Sequence, residues 1–94
     1  MQDLQSIQLQ IIPLLKQARV SRSFIFGSYA RNEAHTDSDL DLLVSFHDKK
    51  TLLDLVALQL QLEVVLGMKV DIITDESLSP KIRPYVDREK IQIL

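Results

Sequence analysis

The stretch FIFGSYARNEAHTDSDLDLLVSF, residues 24–46, constrains this chain more than any other. An apolar run stops at Gly27–Ser28, and a second run opens ten residues later on Asp39 and Asp41. The two-residue period of a strand puts Leu40, Leu42, Val44 and Phe46 on one face and Asp39, Asp41, Leu43 and Ser45 on the other. The first face is wholly apolar and belongs in a core. The second opens with two carboxylates about 6–7 Å apart along the strand. At an effective dielectric of about 20 their repulsion is of order 2–4 kcal/mol, and it raises one of the two pKa values. A strand start is a costly place for such a pair unless a cation reverses the sign. Mg²⁺ prefers oxygen ligands, commonly one or two carboxylates with substrate phosphates.

The turn before the pair suits phosphate. Gly27 lets backbone come close to a ligand, and Ser28 brings a hydroxyl and opens a possible helical turn whose free N–H groups attract anions. Arg31, one turn on, offers a charge-assisted contact to phosphate. No Lys-Ser/Thr follows at Walker A spacing, and a chain with two glycines carries no Rossmann fingerprint. Asp71 in KVDIIT is a third candidate. If the strand holding it lies beside the second strand, Asp71 faces Asp41, and three carboxylates can carry two metals about 3.5–4 Å apart.

The rest of the chain predicts a frame for these residues. Leu4, Ile7, Ile11, Leu14, Leu15 and Ala18 mark a helix over residues 3–18, which Pro13 should kink or split. Residues 23–27 and 39–46 are strands, expected as antiparallel neighbours, and 28–36 connect them. Thr51 and Asp54 form a capping box for a helix over 51–66, with Gly67 as its C′ residue. Residues 68–74 are a third strand. Ser79–Pro80 reads as an N-cap with proline at the first helical position, Pro84 keeps that helix short, and IQIL is a final strand or a docking tail. Alternating strands and helices over 94 residues imply one domain, residues 1–94, of two-layer α/β class with a small mixed sheet.

Composition removes other classes. With no cysteine there is no disulfide or zinc–thiolate site, and a reducing cytoplasm fits. No apolar stretch approaches the ~20 residues of a membrane span. A net charge of −2 argues against direct nucleic-acid binding by phosphate neutralisation.

GS, ten residues, DLD and a later VDII together resemble the polymerase-β-type nucleotidyltransferase superfamily, and GSYARNEAHTDSDLDLLV is similar to its minimal nucleotidyltransferases (MNT). That resemblance implies the nucleotidyltransferase fold. It implies that Gly27 and Ser28 bind the nucleotide's phosphates and that Asp39 and Asp41 hold both Mg²⁺ ions. Asp71 would complete the site and assist deprotonation of the attacking hydroxyl. It also implies an antitoxin that transfers AMP from ATP to a tyrosine of a HEPN-domain toxin, in a hetero-oligomer. Asn32 stands where many relatives carry glycine, but Asn tolerates the left-handed backbone region well. The rival readings are an antitoxin that neutralises by binding alone, and a subunit that modifies a small molecule once a helical partner binds.

Other residues have plainer readings. Asp37 and Ser38 are turn residues, His35 and His47 exposed loop residues, and Tyr29 packs its ring. Lys81, Arg83 and Arg88 belong to a solvated helix face. The helix over 51–66 is unusual in bearing two apolar stripes. One holds Leu53, Val56, Ala57, Leu60 and Val64; the other holds Leu55, Leu58, Leu62, Val65 and Leu66. A surface helix needs one. The second implies either cover by the first helix or a protein interface.

Overall fold

The computed structural model describes residues 2–94. Its first helix, α1, runs Leu4–Gln17. Asp3 caps it, accepting the Ser6 N–H at 2.8 Å. Ile7, Ile11 and Leu15 are fully buried along one side. The helix neither stops nor divides at Pro13, contrary to the split the proline suggests. Pro13 lies on the exposed side, so its ring meets solvent while buried neighbours in both halves hold the helix to the sheet.

Strands β1 (Val20–Phe26) and β2 (Leu40–Phe46) pair antiparallel, as expected, with Phe26 opposite Asp41. Helix α2, Leu52–Leu66, then carries the chain over to β3, Val70–Thr74, parallel to β2. A crossover helix is what a parallel pair requires. The capping box is present, and Gly67 ends α2 in the left-handed conformation at φ +68. Glu63 in the last turn of α2 accepts the Val70 N–H at 3.0 Å, which ties the helix end to the first residue of β3.

A 3₁₀ turn, Asp75–Ser77, leads to α3, Arg83–Glu89. This helix starts later than Ser79–Pro80 suggests. The Ser79 carbonyl accepts the N–H groups of Ile82 and Arg83, making a turn of its own, and Pro84 rather than Pro80 sits in the first helical turn. The Arg83 guanidinium holds the turn to Asp75, at 3.2 Å from its Oδ1. IQIL does form a strand at its start, β4 (Ile91–Gln92), antiparallel to β1. The sheet order is β3-β2-β1-β4.

The alternation read along β2 decides the layers. Leu40, Leu42 and Val44 join Ile25 and Val70 under α1 and α2, in the main core. Leu43, on the reverse face, joins Phe26, Leu78 and Val86 in a smaller core under α3. The acidic positions share this second face, at the end where β2 and β3 begin.

Helix α2 uses only one of its stripes. Leu58, Leu62 and Leu66 are buried, whereas Leu53, Leu60 and Val64 remain 79%, 55% and 84% exposed. The first helix does not cover them.

Candidate functional site

The site gathers where β1 ends and β2 and β3 begin. Asp41 pairs with Asp71 in the parallel register, so both carboxylates leave the same face of adjacent strands. Asp39 lies two residues before Asp41, one residue ahead of β2, and is exposed like Asp71. The expected convergence of Asp71 on Asp41 is therefore present. No Lys69–Asp71 ion pair forms among the described residues.

Asp41 is partly buried, unlike Asp39 and Asp71. Its carboxyl is pushed up to about 6, first by burial and then by the charges of Asp71 and Asp39, with Arg31 pulling the other way. Of the two neighbouring carboxylates, Asp71 raises Asp41 more than Asp39 does, and both follow burial.

Gly27 adopts φ +75, and a Cβ there would collide with the Asp41 carboxylate. Only glycine lets the turn lie this close to the acid. The turn that follows closes through the Arg31 N–H to the Gly27 carbonyl at 3.1 Å and the Glu33 N–H to the Ser28 carbonyl at 2.9 Å. Asn32 leaves it at φ +58, the left-handed conformation asparagine accepts. Neither the Ser28 hydroxyl nor its backbone N–H finds an acceptor among the described residues. Tyr29 turns inward, and its ring is buried in the main core.

The turn differs from expectation at Gly27 and at Arg31. The Gly27 N–H is already engaged, donating to Glu89 Oε1 at 3.0 Å. Glu89 also receives Arg31 Nη1 at 3.2 and 3.0 Å on its two oxygens. Gly27 thus contributes space rather than a free donor. Arg31 is engaged as well, its Nε donating to Glu33 and its Nη1 to Glu89. Ser38 stays local, its Oγ accepting the His35 N–H at 2.9 Å, and His35 and His47 are exposed.

The acidic donors fit Mg²⁺ in kind: three carboxylates on one face, one of them raised in basicity by burial first and by the other two second. Among the described residues no three acidic or histidine side chains are yet drawn together tightly enough to hold an ion.

Residues 9–94 match the family model described as Polymerase beta, Nucleotidyltransferase. The chain belongs to this nucleotidyltransferase family. A candidate protein adenylyltransferase of Methanocaldococcus jannaschii, MJ0435, is 45% identical over 92 residues, spanning 98% of this chain and 99% of the relative. The structure of a candidate minimal nucleotidyltransferase is 43% identical and superposes with a TM-score of 0.82, covering 96% of this chain and 95% of that one. A toxin–antitoxin crystal structure with AMP-PNP superposes with a TM-score of 0.83 at 26% identity, over 93% of this chain and 72% of the other. The resemblance read from GS, DLD and VDII is thereby established for family and fold. Among the described residues no helix of this nucleotidyltransferase is long and apolar enough to cross a membrane.

Proposed function

We propose that this nucleotidyltransferase is a Mg²⁺-dependent protein adenylyltransferase, an antitoxin that moves AMP from ATP onto a tyrosine of a cognate HEPN toxin. The observation that carries the reading is the register of Asp41 with Asp71 beside the Gly27–Ser28 turn. It is supported by the adenylyltransferase name of the M. jannaschii relative and by the toxin–antitoxin fold neighbour with its ATP analogue.

In this reading Asp39, Asp41 and Asp71 hold Mg²⁺, two ions by the family resemblance. Held by these carboxylates, Mg²⁺ would supply charge neutralisation for the triphosphate. Ser28, whose hydroxyl and N–H have no acceptor among the described residues, and Arg31 take the phosphate oxygens. Asp71 accepts the proton of the attacking tyrosine hydroxyl. The phenolic oxygen bonds the α-phosphorus, the bond to the β-phosphate bridging oxygen breaks, and pyrophosphate leaves. Catalysis is mainly positioning and charge stabilisation. The exposed stripe of α2, running through Leu53, Leu60 and Val64, is the surface that receives the toxin, and the pair works in the cytoplasm.

The test is transfer of label. The protein is incubated with Mg²⁺, α-labelled ATP and its co-encoded neighbour, and the labelled residue is mapped. Label on a tyrosine of the neighbour, lost in Asp41→Asn, is expected. Neutralisation that persists in Asp41→Asn with no label would instead make this a binding-only antitoxin, and label on a small acceptor would move the activity to a different substrate class.

A further inference from the structure

The last residue of α3 reaches the phosphate turn, and nothing in the reading above uses it. Strand β4 pairs with β1 so that Ile91 faces Ile25 and Gln92 faces Phe24. Extending that register by two residues brings Glu89 opposite Gly27. Helix α3 is held from below by Val86 in the core with Phe26 and Leu43. Glu89 is therefore fixed on both sides, by a docked helix before it and a paired strand after it. Its side chain is only 20% exposed, against 64% for Glu33, the other partner of Arg31.

We propose that Glu89 is a positioning residue of the nucleotide site, fixing the Gly27 backbone and aiming the Arg31 guanidinium at the triphosphate. The inference rests on the nucleotide reading of the site. Arg31 Nε donates to Glu33 at 3.2 Å and Nη1 donates to both Glu89 oxygens. Two carboxylates thus hold two edges of the planar fork, and Nη2 is left without an acceptor among the described residues. A guanidinium has a fixed donor geometry, so pinning two edges sets the direction of the third.

Glu89 is not a surface ion pair of the ordinary kind, which contributes little and has no fixed geometry. It is mostly buried, it takes a backbone N–H as well as the arginine, and it brings negative charge towards Asp41, against which it works. A chain that needed only a cap for the Gly27 N–H has no reason to place a carboxylate there. Nor does Glu89 block the phosphates. In the order β3-β2-β1-β4 it comes from the β4 side of Gly27, while Asp39, Asp41 and Asp71 stand on the β2 and β3 side.

The test measures binding of Mg²⁺·AMP-PNP by calorimetry to the wild type, Glu89→Gln, Arg31→Ala and the double variant. Gln keeps an acceptor for the Gly27 N–H but loses the charge that holds Arg31. A loss of about tenfold is expected in each single variant, and the double variant should lose no more than the weaker single. In the absence of nucleotide, the Arg31 Nε–Hε resonance should be sharp in the wild type and broadened in Glu89→Gln. Unchanged or tighter binding by Glu89→Gln overturns the inference, as do losses that add in the double variant. If Glu89→Gln does not fold, Arg31→Lys serves, since it keeps the charge but not the fork. A tenfold loss there supports the inference, and wild-type affinity overturns it. A wild type that binds no nucleotide overturns the nucleotide reading and this inference together. A wild type that binds, with variants that bind equally, overturns this inference alone.

Discussion

The Asp41 carboxylate occupies the space against Gly27 that a side chain there would fill. One strand end and one strand start therefore interlock through an absent methyl group. This is why the glycine and the acid belong to a single device, even though thirteen residues separate them.

The second glycine provides the control. Gly67 has φ +68, close to the +75 of Gly27, but a Cβ at Gly67 would meet nothing within 4 Å. Gly67→Ala bears only the left-handed backbone strain, about 1 kcal/mol. Gly27→Ala bears that strain and must also displace Asp41. It should melt several degrees below Gly67→Ala, since about 1 kcal/mol corresponds to about 4–8 °C in a domain of this size. Gly27→Ala should also lose the thermal shift on adding Mg²⁺·ATP, and Gly67→Ala should keep it. Equal melting of the two variants would contradict the interlock.

The raised pKa of Asp41 fixes the sign of a pH effect. Its folded value of about 6 lies above the unfolded value of about 3.9, so the folded state holds the proton longer. The stabilisation this gives is complete below about pH 4 and is lost as pH rises through about 6. Without nucleotide, Asp41→Asn should therefore match the wild type near pH 4 and exceed it at pH 8, by about 1 kcal/mol once solvent screening of this half-buried group is allowed for. Thermal melts of both proteins across that range check it, and parallel curves would refute it.

The exposed stripe of α2 predicts a separation of stability from assembly. Val64 is 84% exposed and Leu60 55% exposed. Leu60→Glu and Val64→Glu should change stability by no more than about 0.5 kcal/mol, the usual range for surface substitutions. If the proposed function holds, both should prevent co-purification with the co-encoded neighbour. Retention of the complex in both variants would place the toxin elsewhere.

The residues differ in how plainly they announced themselves. The face of β2 was legible because period two leaves Leu40, Leu42 and Val44 no other place than a core. The box of Thr51 and Asp54 was legible because capping is local. Pro13 misled because its backbone rule speaks only of the helix, whereas the burial of Ile7, Ile11 and Leu15 is a tertiary matter. Ser79–Pro80 misled for the opposite reason: the motif is sound, but the Ser79 carbonyl spends its bonds on a separate turn. Glu89 could not be seen at all within DREKIQIL. Its meaning depends on pairing IQIL with FIF, and that register, which brings Glu89 to Gly27, is a tertiary fact.

Asp71 should part binding from chemistry. It is exposed at the start of β3, and of the two neighbouring aspartates it is the one that raises Asp41 more. Replacing it by asparagine relieves that repulsion and, if the proposed site is right, leaves Asp39, Asp41 and the Ser28 turn to hold Mg²⁺·ATP. The thermal shift with Mg²⁺ and a non-hydrolysable ATP analogue should thus survive in Asp71→Asn, at half or more of its wild-type size. Transfer to the acceptor should fall about 10²–10⁴-fold, the usual worth of a positioned base. Asp41→Asn, by contrast, should lose the shift and the transfer together. An Asp71→Asn variant that still transfers at the wild-type rate would remove Asp71 from the reaction and leave the proton of the attacking hydroxyl to be taken by another group.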